Sequence, residues 1–158
     1  MTASDALSIR SYRASDLDAV IDIFLRAIRE SAIRDYGQAQ IDAWAQADRA
    51  AWSARRLSRP TWIALVGPNP AGFTDLASNG YLDMMFVHPA FQRRGVATAL
   101  LGTVEAAARA QALPRIFTEA SITARPFFDR SGFRVLAAQE VEKRGQTLRN
   151  FLMEKPLA

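Results

Sequence analysis

Apolar and polar residues alternate from Leu7 to Arg13 (LSIRSYR), which predicts a first strand. The spacing then changes. Leu17, Val20, Ile21, Phe24, Leu25 and Ile28 recur at helical intervals, with Ser15 placed as an N-cap and Asp16 and Asp18 in the first turn, where the helix dipole favours carboxylates. Tyr36-Gly37 marks a break, and Ile41, Trp44, Ala45, Ala51 and Trp52 predict a second helix from about Gln38 to Arg56. After Pro60 the pattern turns to strands: Thr61–Val66 and Ala71–Leu76, joined by Gly-Pro-Asn-Pro, then Tyr81–Val87 after the Ser78-Asn79-Gly80 turn. A helix follows Gly95 to about Ala112, with Ala97, Leu100, Leu101, Val104 and Ala108 inward. Arg115–Ser121 reads as another strand, ARPFFDRS as a short helix closed by Gly132, and the last segments as a hairpin across Gly145. The order β-α-α-β-β-β-α-β-α-β-β predicts a three-layer α/β (α+β) sandwich. Its mostly antiparallel sheet has about six or seven strands and is flanked by about four helices.

Composition narrows the chemistry. A chain of 158 residues, 49% hydrophobic and 23% charged, suits one domain over residues 1–158 with a substantial core. The absence of cysteine excludes disulfides, thiolate metal sites and a cysteine nucleophile. The first residues, MTASDALSIR, lack a signal-peptide pattern, and no apolar run reaches the roughly 18–20 residues of a bilayer span, so a cytoplasmic location is expected. The net charge of +4 comes from scattered arginines without a stacking platform of aromatics, which argues against nucleic acid. His88 is the sole histidine; beside Pro89 it reads as a turn residue, and no metal site is expected.

One junction stands out. In FVHPAFQRRGVATALL, Pro89 ends strand pairing and an amphipathic helix begins a few residues later. The first amides of that helix lack intrahelical acceptors and sit at the positive end of its dipole. Gly95 lets a ligand approach the backbone, Ala97 keeps the next turn open, Arg93 and Arg94 add charge, and Thr98 can add a hydroxyl. Such a row of amides suits a pyrophosphate. Neither G-x-x-x-x-G-K-[ST] nor G-x-G-x-x-G is present, so a P-loop and a Rossmann site are unsupported.

Gln92-Arg93-Arg94-Gly95-Val96-Ala97 resembles the Q/R-x-x-G-x-G/A signature of the GNAT superfamily of acyl-coenzyme A-dependent N-acyltransferases. Ala124 to Phe133 (ARPFFDRSGF) is similar to that family's A-x-x-F-Y-x-x-x-G-F segment. The resemblance implies a sheet splayed between its fourth and fifth strands, Tyr81–Val87 and Arg115–Ser121, with acetyl-coenzyme A as co-substrate. It implies that Met85, Phe86 and Val87 pair with the pantetheine arm and that Arg93, Arg94, Gly95, Val96, Ala97 and Thr98 hold the pyrophosphate. An N–H of Phe86 or Val87 would face the thioester carbonyl. Phe127 and Phe128 would lie beside the coenzyme sulfur.

Two positions depart from the family pattern. Phe128 stands where the family often has a tyrosine that protonates the leaving thiolate, and Ser121 stands for a frequent asparagine. The expected reaction is attack of a neutral primary amine, carried by a small molecule or a protein, on the thioester. Asp83 and Glu119, charges inside apolar strands, are the candidate bases, and Tyr81 shares the face of Asp83. No membrane partner is expected, and a homodimer is left open. The alternative is a catalytically idle coenzyme A-binding sensor, a reading that Phe128 favours. Transfer to a hydroxyl or of a longer acyl chain is a third reading.

Overall fold

The alternation at Leu7 becomes strand β1 (Leu7–Ser11) in a computed structural model that describes residues 6–157. Helix α1 (Leu17–Arg26) follows a short 3-10 turn in which the Asp16 carboxylate accepts the Arg13 N–H at 2.8 Å and clasps the Arg10 guanidinium. The helical path continues through a wide turn at Ala27–Ser31 and a 3-10 turn at Ala32–Arg34.

The second helix is two helices, α2 (Gln38–Trp44) and α3 (Arg49–Leu57), and this corrects the single rod expected from Gln38 to Arg56. Ala45 leaves the helical region at ψ 65°, and the chain restarts after the extended Asp48. The bend lets α2 lean on the C-terminal strands while α3 packs beside α1, two directions that one straight axis cannot serve.

Strands β2 (Thr61–Val66) and β3 (Asn69–Asp75) form the expected hairpin. The predicted strand Tyr81–Val87 is divided into β4 (Tyr81–Leu82) and β5 (Met85–Val87). Helix α4 (Val96–Ala110), strand β6 (Arg115–Ser121), helix α5 (Arg125–Arg130) and strands β7 (Arg134–Lys143) and β8 (Gln146–Pro156) complete the order. The last two strands turn at Arg144 and Gly145, whose positive φ values of 46° and 84° match a two-residue hairpin.

The division produces two four-stranded sheets, β1-β2-β3-β5 and β4-β6-β8-β7. β4 pairs in parallel with β6 through Tyr81↔Phe117 and Leu82↔Thr118, whereas β5 pairs antiparallel with β3 alone. Among the described residues eight strands therefore replace the six or seven expected, because one predicted strand serves both sheets.

Two apolar layers hold the frame. On one face Val20, Ile23 and Phe24 of α1 and Trp52 of α3 meet Ile63 and Phe73 of the first sheet. On the other face α4 lies against β2 and β3 through Val96 and Leu100, and against the second sheet through Val104 and Ala108. Gly72 is what lets α4 sit so low: a Cβ there would stand 2.8 Å from Val96 Cγ1 and 3.0 Å from the Phe86 carbonyl oxygen. Among the described residues, no helix is long and apolar enough to cross a membrane, and no group of three or more His, Asp or Glu side chains is placed to hold a metal ion.

Candidate active site

Where β5 parts from β6, a cleft of about 670 Å³ opens between the two sheets. One end is the turn into α4. Arg93 and Gly95 take positive φ values of 63° and 78°, so the chain enters the helix with its first amides facing outward and uncapped by any side chain. Nothing lies within 4 Å of where a Gly95 Cβ would stand, which leaves the backbone open to an anion. Arg93, Gly95, Val96, Ala97 and Thr98 line this end. The Arg94 guanidinium instead lies over the Phe91 ring, 5.6 Å from its centre, and Arg94 is the one predicted site residue outside the cleft wall.

The wall beyond is β5. His88 N–H donates to the Ala71 carbonyl and Asp75 N–H to that of Met84, so by the antiparallel alternation Phe86 forms the hydrogen-bonded pair with Phe73. Met85 and Val87 then turn their peptide groups to the opposite edge, which has no strand partner among the described residues. Of the two N–H groups singled out in the sequence, that of Val87 points to the cleft and that of Phe86 does not. The Phe86 side chain goes to the other layer, stacked 5.9 Å from Phe73 and edge-on to Phe24 at 5.0 Å.

The facing wall comes from β6 and the turn after it. Ile116, Thr118 and Ala120 are buried, which sends Phe117, Glu119 and Ser121 to the other face. Glu119 is exposed in the cleft, with no ion-pair partner among the described residues. Tyr81 stacks on Phe117 at 5.2 Å, and its phenol is pushed up from the ordinary value, first by burial and then by the negative charges of Asp83 and Glu119. It therefore stays protonated at neutral pH. Asp83 lies 3.3 Å from Arg55 and 3.9 Å from Arg56. Tyr81, Asp83 and Glu119 all line the cleft, with both carboxylates near enough to act on the Tyr81 phenol.

Ser121 Oγ accepts the Ala124 N–H at 3.0 Å and so caps the turn into α5. Phe127 and Phe128 reach the cleft, but Phe128 is 3% exposed and packed edge-on against Phe127 and Phe133. His88 is a turn residue: its Nδ1 accepts the Ala90 N–H at 3.0 Å and its Nε2 sits against Arg26.

Several contributors carried no readable motif. Tyr36 accepts the Ile122 N–H at 2.9 Å and donates to the Arg149 carbonyl at 2.6 Å, tying the turn after β6 to β8 at the end of the cleft away from α4. Trp44 packs edge-on to Tyr36, and the tip of the β7–β8 hairpin, anchored by Arg144 on the Ala43 carbonyl, closes that end. The hydrogen bonds of Tyr36 and Arg144 span more than 80 residues, which no local pattern encodes.

Comparisons with known proteins bear on the family and the fold. Residues 32–155 match the acetyltransferase (GNAT) domain family. The chain is 38% identical over 147 residues, 93% of its length and 94% of the relative's, to the uncharacterized N-acetyltransferase YafP of Escherichia coli strain K12. It superposes with a TM-score of 0.93 on a crystal structure from Rhodopseudomonas palustris described as a GCN5-related N-acetyltransferase and class-II aminotransferase, at 31% identity over 99% of both chains. The PaiA N-acetyltransferase of Thermoplasma acidophilum in complex with coenzyme A shares the fold, with a TM-score of 0.74, 17% identity and coverage of 96% and 99%.

Proposed function

The chain belongs to the GNAT acetyltransferase family, and from that premise we propose that it moves the acetyl group of acetyl-coenzyme A to a primary amine. The observation that carries the reading is the unpaired edge of β5, which runs into the open, positive end of α4. A ligand with a peptide-like arm and a diphosphate fits both in succession.

In this reading the amides from Arg93 to Thr98 hold the diphosphate, helped by the Arg93 charge. Met85 and Val87 pair with the pantetheine arm, and the Val87 N–H faces the thioester carbonyl, where it stabilises the developing negative oxygen. Phe127 and the edge of Phe128 flank the sulfur. The amine nitrogen forms its bond to the acyl carbon as the carbon–sulfur bond breaks. Its proton passes to a carboxylate, directly or through water. Glu119 is the better placed of the two candidates, because Asp83 is tied to Arg55 and approached by Arg56. With phenylalanine at position 128 the departing thiolate takes its proton from solvent.

The test is release of free thiol from acetyl-coenzyme A against a panel of primary amines and matching alcohols. Turnover with an amine and not its alcohol supports the reading; turnover with the alcohol alone overturns the choice of acceptor. Phe128 favours a second reading, a coenzyme A-binding sensor. Calorimetric binding of coenzyme A without thiol release on any amine would establish the sensor instead.

A further inference from the structure

The division of the Tyr81–Val87 segment has a cause outside the cleft wall. Along a regular strand successive peptide N–H groups point to opposite edges, so two neighbours do not share one acceptor. Here the N–H groups of Asp83 and Met84 both donate to Oδ1 of Asp75, at 2.9 and 3.1 Å. That carboxylate is 0% exposed, and its other oxygen accepts Nη1 of Arg56, 1% exposed, at 2.8 Å. Side chains also hold the carbonyls that flank the break: Thr74 Oγ1 donates to Met84, which accepts the Asp75 N–H as well, and Thr118 Oγ1 donates to Leu82, each hydroxyl at 2.8 Å. Thr74 and Asp75 belong to β3 and Thr118 to β6, so each half of the divided segment is tied to a different sheet.

Arg56 also reaches back toward the site. Its Nη2 has no hydrogen-bond partner among the described residues and lies 3.9 Å from Oδ2 of Asp83. A buried ion pair adds little stability compared with apolar side chains of similar volume. What this pair supplies is an acceptor that two consecutive amides can share, held in place by a guanidinium. Burial pushes the Asp75 carboxyl up from its ordinary value, opposed by the Arg56 charge and by the Met84 and Asp83 N–H groups.

We propose that Asp75, with its carboxylate held by Arg56, is a positioning residue for acyl transfer: it templates the break at Asp83–Met84 that frees the β5 edge and sets the Asp83 side chain in the cleft. The kinetic part rests on the acyl-transfer reading above; the structural part is read without turnover.

Two double variants test it. Arg56→Met with Asp75→Leu replaces the pair by apolar chains, whereas Arg56→Gln with Asp75→Asn keeps a neutral partner whose amide oxygen can accept both N–H groups. Amide hydrogen exchange and steady-state thiol release are measured on each. In the apolar variant, exchange at Asp83 and Met84 quickens by about tenfold or more. Its kcat falls by about a hundredfold, and KM for acetyl-coenzyme A rises by about tenfold, because the β5 edge that pairs with the pantetheine arm is no longer free. The neutral polar variant recovers most of these losses. Should the apolar variant not fold, Arg56→Gln with Asp75→Ser, whose short hydroxyl cannot reach both amides, shows the same losses. Protected amides and parental kcat without the shared acceptor would overturn the proposal, as would equal losses in all variants. If the parent releases no thiol with any amine, the acyl-transfer reading fails, and exchange at the two amides alone decides whether Asp75 templates the break.

Discussion

Glu119 and Asp83 look alike in the sequence, each a carboxylate among apolar strand residues, and their surroundings separate them. Asp83 meets guanidinium groups, while Glu119 stands open to the cleft. Glu119→Gln is therefore expected to lower kcat by about a hundredfold, with coenzyme A affinity unchanged by calorimetry; Asp83→Asn has the smaller effect. Parental kcat in Glu119→Gln would remove Glu119 as the base. The two arginines of the Arg-Arg-Gly turn also part company. Arg93→Ala is expected to weaken coenzyme A binding by about 1–2 kcal/mol, the loss of one charge-assisted contact. Arg94→Ala costs less, because its guanidinium rests over Phe91. The motif around Gly95 was legible because its chemistry is local: a helix start, a glycine and adjacent charges lie within a few residues. Arg56 and Asp75 were not legible. One reads as a cation at a helix end and the other as a polar residue closing a strand, and only folding brings them to 2.8 Å.

Elements show the same contrast between local and non-local causes. Helix α4 was predicted from its period after Gly95, but its depth against β3 is set by Gly72. Gly72→Ala is expected to cost about 1–3 kcal/mol through overpacking, and to weaken coenzyme A binding because the α4 N-terminus must lift. Chemical denaturation and calorimetry check the two effects separately. At the β1–α1 junction, the Arg10 hydrogen bond holds the Asp16 carboxyl below its ordinary value of 3.8, so the folded state binds that proton less tightly than the unfolded chain. The resulting stability is present above that ordinary value and is lost as the pH falls through the depressed folded value. Asp16→Asn should thus be less stable than the parent by about 1–2 kcal/mol near neutrality, with the gap closing in urea titrations once the pH falls below the ordinary carboxylate range. The break between α2 and α3 escaped prediction because Ala45 is a good helix former, overruled by packing in two directions.

At the scale of the molecule, the cleft belongs to neither sheet alone. A ligand lying along β5 toward α4 and beside α5 contacts both sheets, and so stabilises their mutual placement. Coenzyme A at about a hundredfold above its dissociation constant is expected to add about 2.7 kcal/mol to stability, read as a rise in Tm that saturates with ligand. No shift at millimolar coenzyme A would contradict the assigned binding path. The same ligand should leave the acid-limb behaviour of Asp16 unaltered, since that junction does not line the cleft.

The α+β order, the open turn at Arg93–Gly95 and the placing of Tyr81 and Asp83 on one short segment were determined by the sequence itself, because period, backbone freedom and local charge act over a few residues. Tertiary structure alone decided that Tyr81–Val87 divides between two sheets, that the Val87 peptide rather than that of Phe86 faces the cleft, and that Arg56 and Asp75 meet beneath it. Those outcomes depend on register and on buried groups finding partners far away along the chain. A strand's own residues state which side chains share a face, but its neighbours determine which amides are left free.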